Sequence, residues 1–413
     1  MKADIRVIDG GVTAAKGYRA AGCKAGVKYP DRLDMAMVFS EKPCVAAGTF
    51  TQNIVKAAPV IWDRRIVREG TGPVRAIVVN TGIANAGTGE EGLNNCLKTA
   101  EKAASVLGID KDEVLTGSTG VIGPQLNMEA VLSGVDKLAA GLKDTREAAH
   151  EASLAIMTTD THPKECAVQF EADGKTVSLG GMTKGSGMIH PNMGTMLCYI
   201  TTDLAVTKEL LQKALSEVVT DTFNMISVDG DTSTNDTVIL MANGEAGNKE
   251  ITEEDEAWLL FREALFHVMR DLARQMAGDG EGATKLLTCR VINAADKEKA
   301  RILSKAVITS SLTKAAMYGN DANWGRILCA MGYSGAQFDP DKLDIFFDAE
   351  GFSRIHVFHD GAGLAFSEEE ATELLKQKEV VITADMKEGD LSATAWGCDL
   401  THEYVNINAD YRS

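Results

Sequence analysis

Short apolar runs of β type alternate along this chain with longer stretches in which apolar positions recur every three or four residues. Strands are predicted at 75–80, 237–241, 286–292, 344–348 and 380–383, each a short apolar run too short for a helix. Helices are predicted at roughly 90–107, 145–157, 207–224 and 252–277. The last opens on Thr252-Glu-Glu-Asp255, read as a capping box, and a second box, Ser367-Glu-Glu-Glu370, opens a shorter helix. This alternation predicts a mixed α/β fold. The 252–277 helix stops at Gly278-Asp-Gly280-Glu281-Gly282, where the pattern turns to a strand. The main boundary is placed there, with a larger layered α/β domain over 1–284 and a smaller C-terminal α/β domain over 285–413. There is no internal repeat or low-complexity tract.

A chain of 413 residues has ample apolar content for two or three cores. Its 42 basic residues face 59 acidic ones, for a net charge of −17 and a pI near 4.9. No Lys/Arg block stands out, which argues against nucleic acid or an anionic membrane as partner. Eight cysteines are scattered with no C-x-x-C pair, and the opening MKADIRVIDGG has no apolar leader region. No apolar run approaches the ~20 residues that span a bilayer. A cytoplasmic protein with reduced thiols is expected.

The densest chemistry lies in Lys184 to Leu197, KGSGMIHPNMGTML, where Thr195 follows Gly194. A threonine hydroxyl after a glycine carbonyl in a strained turn can attack that carbonyl, passing through an ester that water opens. Threonine then becomes a new N-terminus whose α-amine, with an ordinary pKa of ~7.7–8.0, can act as base for its own hydroxyl. His190, five residues earlier, can assist as proton acceptor or simply be a hydrogen-bonded loop histidine. In Leu115 to Gly123 (LTGSTGVIG) the backbone N–H groups, with the Thr119 hydroxyl, can converge on an oxyanion. Gly278 to Lys285 (GDGEGATK) lacks the order of a phosphate loop and precedes a strand, so nucleotide binding is not expected; Glu281 there is either a ligand carboxylate or a solvated turn residue. Asp229 to Asp236 (DGDTSTND) has the carboxylates of a cation loop without its glycine or its closing glutamate, and reads better as a hydrogen-bonded polar turn. The histidines show no metal spacing, and His356 and His359, three apart in an alternating run, are expected on opposite faces of a strand.

Taken in order, GGVTAAKGYRAAG, AGTFTQNIVKAAPV, VVNTGIANAGTG, STGVIG, IMTTDTHPK, KGSGMIHPNMGTML, SVDGDTSTNDT, GDGEGATK, YGNDANWGR and NADYRS resemble the ornithine acetyltransferase family, the self-processing glutamate N-acetyltransferases of arginine biosynthesis, nearly end to end. The resemblance implies cleavage between Gly194 and Thr195 into chains 1–194 and 195–413, with Thr195 as nucleophile. It implies an oxyanion hole at Thr119 and Gly120, and substrate contacts from Thr158, Lys184, Thr195, Glu281, Asn408 and Ser413. Lys184 can meet a carboxylate, Glu281 can pair with the ornithine ammonium, and the tail can close over the amino-acid end. The implied reaction moves acetyl from N-acetylornithine to glutamate by double displacement, without a metal or tightly bound cofactor; some members also take acetyl-CoA as donor. The implied fold is a layered α/β sandwich with a likeness to self-processing aminopeptidases, and the implied assembly is a heterotetramer of two α and two β fragments. Two positions depart from the family pattern: Gly194 stands where alanine is usual, and Ile83 replaces a polar residue in TGIANA. The rival enzyme class is a hydrolase, an N-terminal-nucleophile amidase or aminopeptidase, which would share the cut, the amine and the oxyanion hole. A non-catalytic amino-acid-binding protein would need none of these groups.

Overall fold

The computed structural model of the chain describes residues 5–70, 72–190 and 196–409. Two compact units interleave along it. Met1–Gly185, Pro191–Phe223 and Thr232–Leu272 make the first; Ser186–His190, Asn224–Asp231 and Ala273–Ser413 make the second. The helix Glu256–Gly278 begins in the first unit and ends in the second, and the helix-to-strand switch at 278–286 lies within the second.

A nine-stranded sheet forms the first unit. Its spatial order is Arg6–Ile8, Lys164–Ala172, Lys175–Lys184, Leu197–Thr202, Thr237–Ala242, Met35–Phe50, Val74–Asn80 and Val114–Ser118, with Tyr18–Cys23 also paired to Met35–Phe50. Helices Met128–Gly141 and Arg146–Ala155 pack on Tyr18–Cys23 and Met35–Phe50. Met35, Met37, Val78, Leu115, Val131, Leu138, Ala152 and Tyr199 share one buried cluster between these layers. Several strands end where the chemistry is expected. Asn80 pairs in parallel with Ser118, so the turns holding Thr81 to Ile83 and Thr119 to Gly120 leave the sheet side by side. Lys184 closes its strand opposite Leu197.

The second unit is built on a seven-stranded sheet in the order Ala362–Gly363, Ile355–His359, Asp344–Asp348, Glu379–Asp385, Leu286–Ala294, Leu391–Cys398 and Ile226–Ser227. Helix Lys297–Thr309, capped by the Asp296 side chain, lies on Leu286–Ala294 and Leu391–Cys398. One expectation fails here. Ile345 pairs with Phe358 but Phe346 pairs with His356, so the Ile355–His359 strand carries an extra residue. Such a bulge interrupts the alternation of side chains. His356 and His359 therefore come together, with ring centroids 5.3 Å apart.

The mixed α/β reading and all five predicted strands hold, as do the helices at Gly89–Leu107, Arg146–Ala155 and Lys208–Thr220. Ser367 caps Glu368–Leu375 as expected, its Oγ accepting from the Glu370 N–H. The long helix, however, starts at Glu256, and Asp255 rather than Thr252 caps it, its carboxylate accepting from the Trp258 N–H at 2.9 Å. All eight cysteines are free. Among the described residues no helix is long and apolar enough to cross a membrane.

Candidate active site

In the first unit the STG turn is fixed from below by two buried asparagines. The Thr119 N–H donates to the Asn80 carbonyl at 3.1 Å, the Ser118 hydroxyl to Asn80 Oδ1 at 2.6 Å, and Asn80 Nδ2 to the Ile83 carbonyl at 2.9 Å. Asn235 Nδ2 donates to the carbonyls of Ala84 at 2.6 Å and Ser118 at 2.8 Å, stitching the two turns together. Gly120 adopts φ +131°, and a Cβ there would lie 2.2 Å from the Gly82 carbonyl carbon. Only glycine fits a backbone so turned and so closely approached. Ile83, the residue that departs from the family pattern, bridges both Thr119 and Val121 and is itself buried in the core.

Lys184 is buried beside this turn, and its ammonium donates to Thr119 Oγ1 at 3.2 Å. An ammonium has only donors, so the threonine oxygen accepts and the hydroxyl proton is left to point elsewhere. That is the polarity an oxyanion hole requires. Asp160 anchors the same corner: its carboxylate accepts from the Gly185 N–H at 2.7 Å, the Thr158 N–H at 3.0 Å and Lys164 Nζ at 2.7 Å. Burial alone would raise the Asp160 carboxyl, but the charges of Lys184 and Lys164 and these hydrogen bonds outweigh it and hold the group well below the usual carboxylate range. Thr158 is thus tied through its N–H to the Asp160 carboxylate, which feels the charges of both Lys184 and Lys164, and Thr119 is tied to the Lys184 ammonium.

In the second unit Glu281 is buried rather than a solvated turn residue. Its N–H donates to the Ser186 carbonyl at 2.9 Å, and its carboxylate accepts from Asn408 Nδ2 at 2.7 Å. A Cβ on Gly187 would meet that carboxylate at 2.3 Å, so the second glycine of KGSG makes room for it. The tail helix His402–Ala409 brings Asn408 here; Thr401 Oγ1 caps its start by accepting from the Tyr404 N–H at 3.3 Å and anchors it by donating to the Gly282 carbonyl at 2.7 Å. Burial, then the negative charges of Asp229 and Glu281, push the Tyr404 phenol upward. The Asp229 carboxylate accepts from the N–H groups of Met188 at 2.6 Å and Ile189 at 2.8 Å, and His190 Nδ1 lies 3.1 Å from Ser227 Oγ. The segment leading toward the expected cut is therefore pinned. Burial and then the Lys305 ammonium push the His190 imidazole down to about 4, against a weaker opposing pull from Asp231.

Of the residues expected from sequence, Thr119, Gly120, Thr158 and Lys184 are brought together in the first unit, and Glu281 and Asn408 in the second. Gly194, Thr195 and Ser413 lie outside the described residues. Asp160, Asn80, Asn235 and Asp229 were not singled out as site residues, although each stands inside a quoted motif. The polar-turn reading of DGDTSTND is borne out by what Asp229 and Asn235 bond. Lys285 is no phosphate ligand: its ammonium donates to the Met317 carbonyl at 3.0 Å and to Asn320 Oδ1 at 2.7 Å, and also to the Leu375 carbonyl.

The sequence model of the ArgJ family matches residues 19–413. The arginine biosynthesis bifunctional protein ArgJ of Thermotoga neapolitana is 50% identical over 399 residues, covering 96% of this chain and 99% of that protein. Its counterpart from Bacillus subtilis is 42% identical over 406 residues, covering 98% and 97%. Among solved structures, the bifunctional ArgJ of Bacillus halodurans is 46% identical and covers 51% of this chain and 97% of its own, with a TM-score of 0.49.

Proposed function

The chain belongs to the ArgJ family, and from that premise we infer that it is an acetyltransferase of arginine biosynthesis that moves acetyl from N-acetylornithine to glutamate. The observation that carries this reading is the match from residue 19 to the end, with relatives half identical over nearly their whole length. The relatives are named bifunctional, which supports acetyl-CoA as a second donor of the same acetyl group.

Thr195 Oγ first attacks the Gly194 carbonyl; the peptide nitrogen leaves as the amine of Thr195, and water opens the resulting ester. The freed α-amine then takes the Thr195 hydroxyl proton as that oxygen attacks the acetyl carbonyl of N-acetylornithine. Negative charge grows on the carbonyl oxygen, where the Thr119 hydroxyl and the Gly120 N–H donate. Collapse expels ornithine, whose nitrogen receives the proton. The glutamate amine attacks the acetyl-Thr195 ester by the reverse path and leaves as N-acetylglutamate. Lys184, whose buried ammonium lies beside Thr119, meets a substrate carboxylate, with Thr158 beside it. Glu281 and Asn408 receive the ornithine ammonium, and Ser413 closes over the amino-acid end. On this reading no metal or tightly bound cofactor takes part, the fragments remain together as an α2β2 heterotetramer, and the enzyme works in the cytoplasm.

Steady-state kinetics with both substrates tests the reaction class. Velocity against each substrate should give parallel double-reciprocal lines, and ornithine and N-acetylglutamate should appear one for one. Steady release of free acetate at a similar rate without glutamate would instead establish the hydrolase.

A further inference from the structure

Asp344, His356 and His359 form a cluster whose ligand atoms all lie within 4.8 Å of one another. The strand bulge creates it by bringing two histidines together beside the first residue of the neighbouring strand. Asp344 Oδ1 stands 2.6 Å from His359 Nδ1 and 3.7 Å from His356 Nε2. Two further features point to a ligand. His356 Nε2 is buried without a hydrogen-bond partner, while its ring is fixed by stacking on Phe346 at 4.2 Å. A buried polar atom left so calls for an explanation. His359 has its other nitrogen, Nε2, 3.1 Å from Asp360 Oδ2. A metal-ligating histidine is commonly oriented in this way, one nitrogen donating to a carboxylate and the other turned to the metal.

We propose that Asp344, His356 and His359 bind one divalent transition-metal ion, with zinc the best fit, at this edge of the second unit's sheet. Two imidazoles and one carboxylate suit zinc and its neighbours, whereas calcium and magnesium want oxygen alone. Zinc bonds of about 2.0–2.1 Å at tetrahedral angles set ligand atoms roughly 3.3 Å apart. The 2.6 Å pair must open slightly and the 3.7 Å pair close slightly, within reach of the two partly exposed histidines on a buried Asp344. Water takes the remaining position. Lys387 is the cation beside this cluster, its ammonium 2.9 Å from Asp344 Oδ1 and 3.4 Å from Asp360 Oδ1. Lys387 must swing out, so the ion competes with a tethered charge and binds less tightly than in a closed structural site.

The test is equilibrium dialysis of the purified full-length enzyme against zinc chloride, repeated with cobalt chloride, whose visible absorption reports nitrogen and oxygen coordination. One equivalent per chain should bind. His356→Ala and His359→Ala should each weaken binding by about tenfold or more, and Lys387→Met should tighten it, with acetyl transfer retained in all three. Absence of saturable binding in both the wild type and Lys387→Met would overturn the proposal. So would binding that His356→Ala and His359→Ala leave unchanged while their circular dichroism remains native.

Discussion

At Thr119 the direction of a single proton decides what the hydroxyl can do. With Lys184 donating to its oxygen at 3.2 Å, the hydroxyl is free to donate onward. Thr119→Ala should then lower kcat about 10²–10³-fold, and Thr119→Ser should restore most of it; equal kcat in the alanine variant would remove Thr119 from the oxyanion hole. Asp160 is the counterion beneath. Asp160→Asn keeps the shape but leaves Lys164 and Lys184 short of a charge, which should cost about 3–5 kcal/mol at pH 7. A carboxyl held below its ordinary value contributes stability above that value and loses it as pH falls through the folded one. The gap between wild type and Asp160→Asn in urea melts should therefore be full at pH 7 and narrow below about pH 4. His190 carries the opposite charge type. Its imidazole, lowered to about 4, stays neutral where an ordinary histidine is half protonated. If it accepts the proton during self-cleavage, the cleavage rate should hold steady from pH 7 to 5 and drop only toward 4. Lys305→Met, by removing a repelling charge, should move that drop to higher pH; a wild-type rate halving near 6.5 would exclude His190 from the step.

Elements matter here through what their ends hold. Val74–Asn80 and Val114–Ser118 finish in register, and Asn235 locks the turns beyond them through two buried carbonyls. Asn235→Ala should cost about 1–3 kcal/mol by leaving those carbonyls unpaired. It should also reduce kcat more than KM, read by urea unfolding and steady-state kinetics side by side; an unchanged kcat in the folded variant would show that the turn needs no such support. Elements with one clean pattern were legible in the sequence, as with Asp344–Asp348, whose bounds match the expectation. Met35–Phe50 is absent from the predicted strands, because the polar, proline-bearing Ser40-Glu-Lys-Pro43 interrupts its apolar run. The strand instead runs through it and absorbs the interruption as a register shift between Phe39 and Cys44. The paired histidines were missed for a similar reason, since a bulge defeats an argument from alternation. Of the expected site residues, Lys184 comes from the resemblance alone and Glu281 stands open in the sequence between a ligand carboxylate and a solvated turn residue; the structure shows both side chains buried. Asp160 and Asn235 act through backbone groups far along the chain, and a sequence does not display such partners.

At the scale of the whole molecule, the two units are interleaved. Ser186–His190 and Asn224–Asp231 belong with the C-terminal part, although both precede it by many residues. Reading along the chain finds a composition switch but not this return. The same interleaving means that cleavage before Thr195 divides a chain whose second unit draws on both fragments, since Ser186–His190 would lie on one and Ala273–Ser413 on the other. The hydrogen bond from the Glu281 N–H to the Ser186 carbonyl would join them within that unit. Denaturing mass spectrometry reads whether Thr195 carries the acetyl group. The purified enzyme is mixed with N-acetylornithine alone, quenched and weighed, then chased with glutamate. Two fragments are expected, 1–194 and 195–413, with one acetyl group on the second that vanishes on the chase as N-acetylglutamate forms. An intact chain that is fully active, or a 195–413 fragment that never gains the acetyl group while ornithine is released, would contradict that role of Thr195.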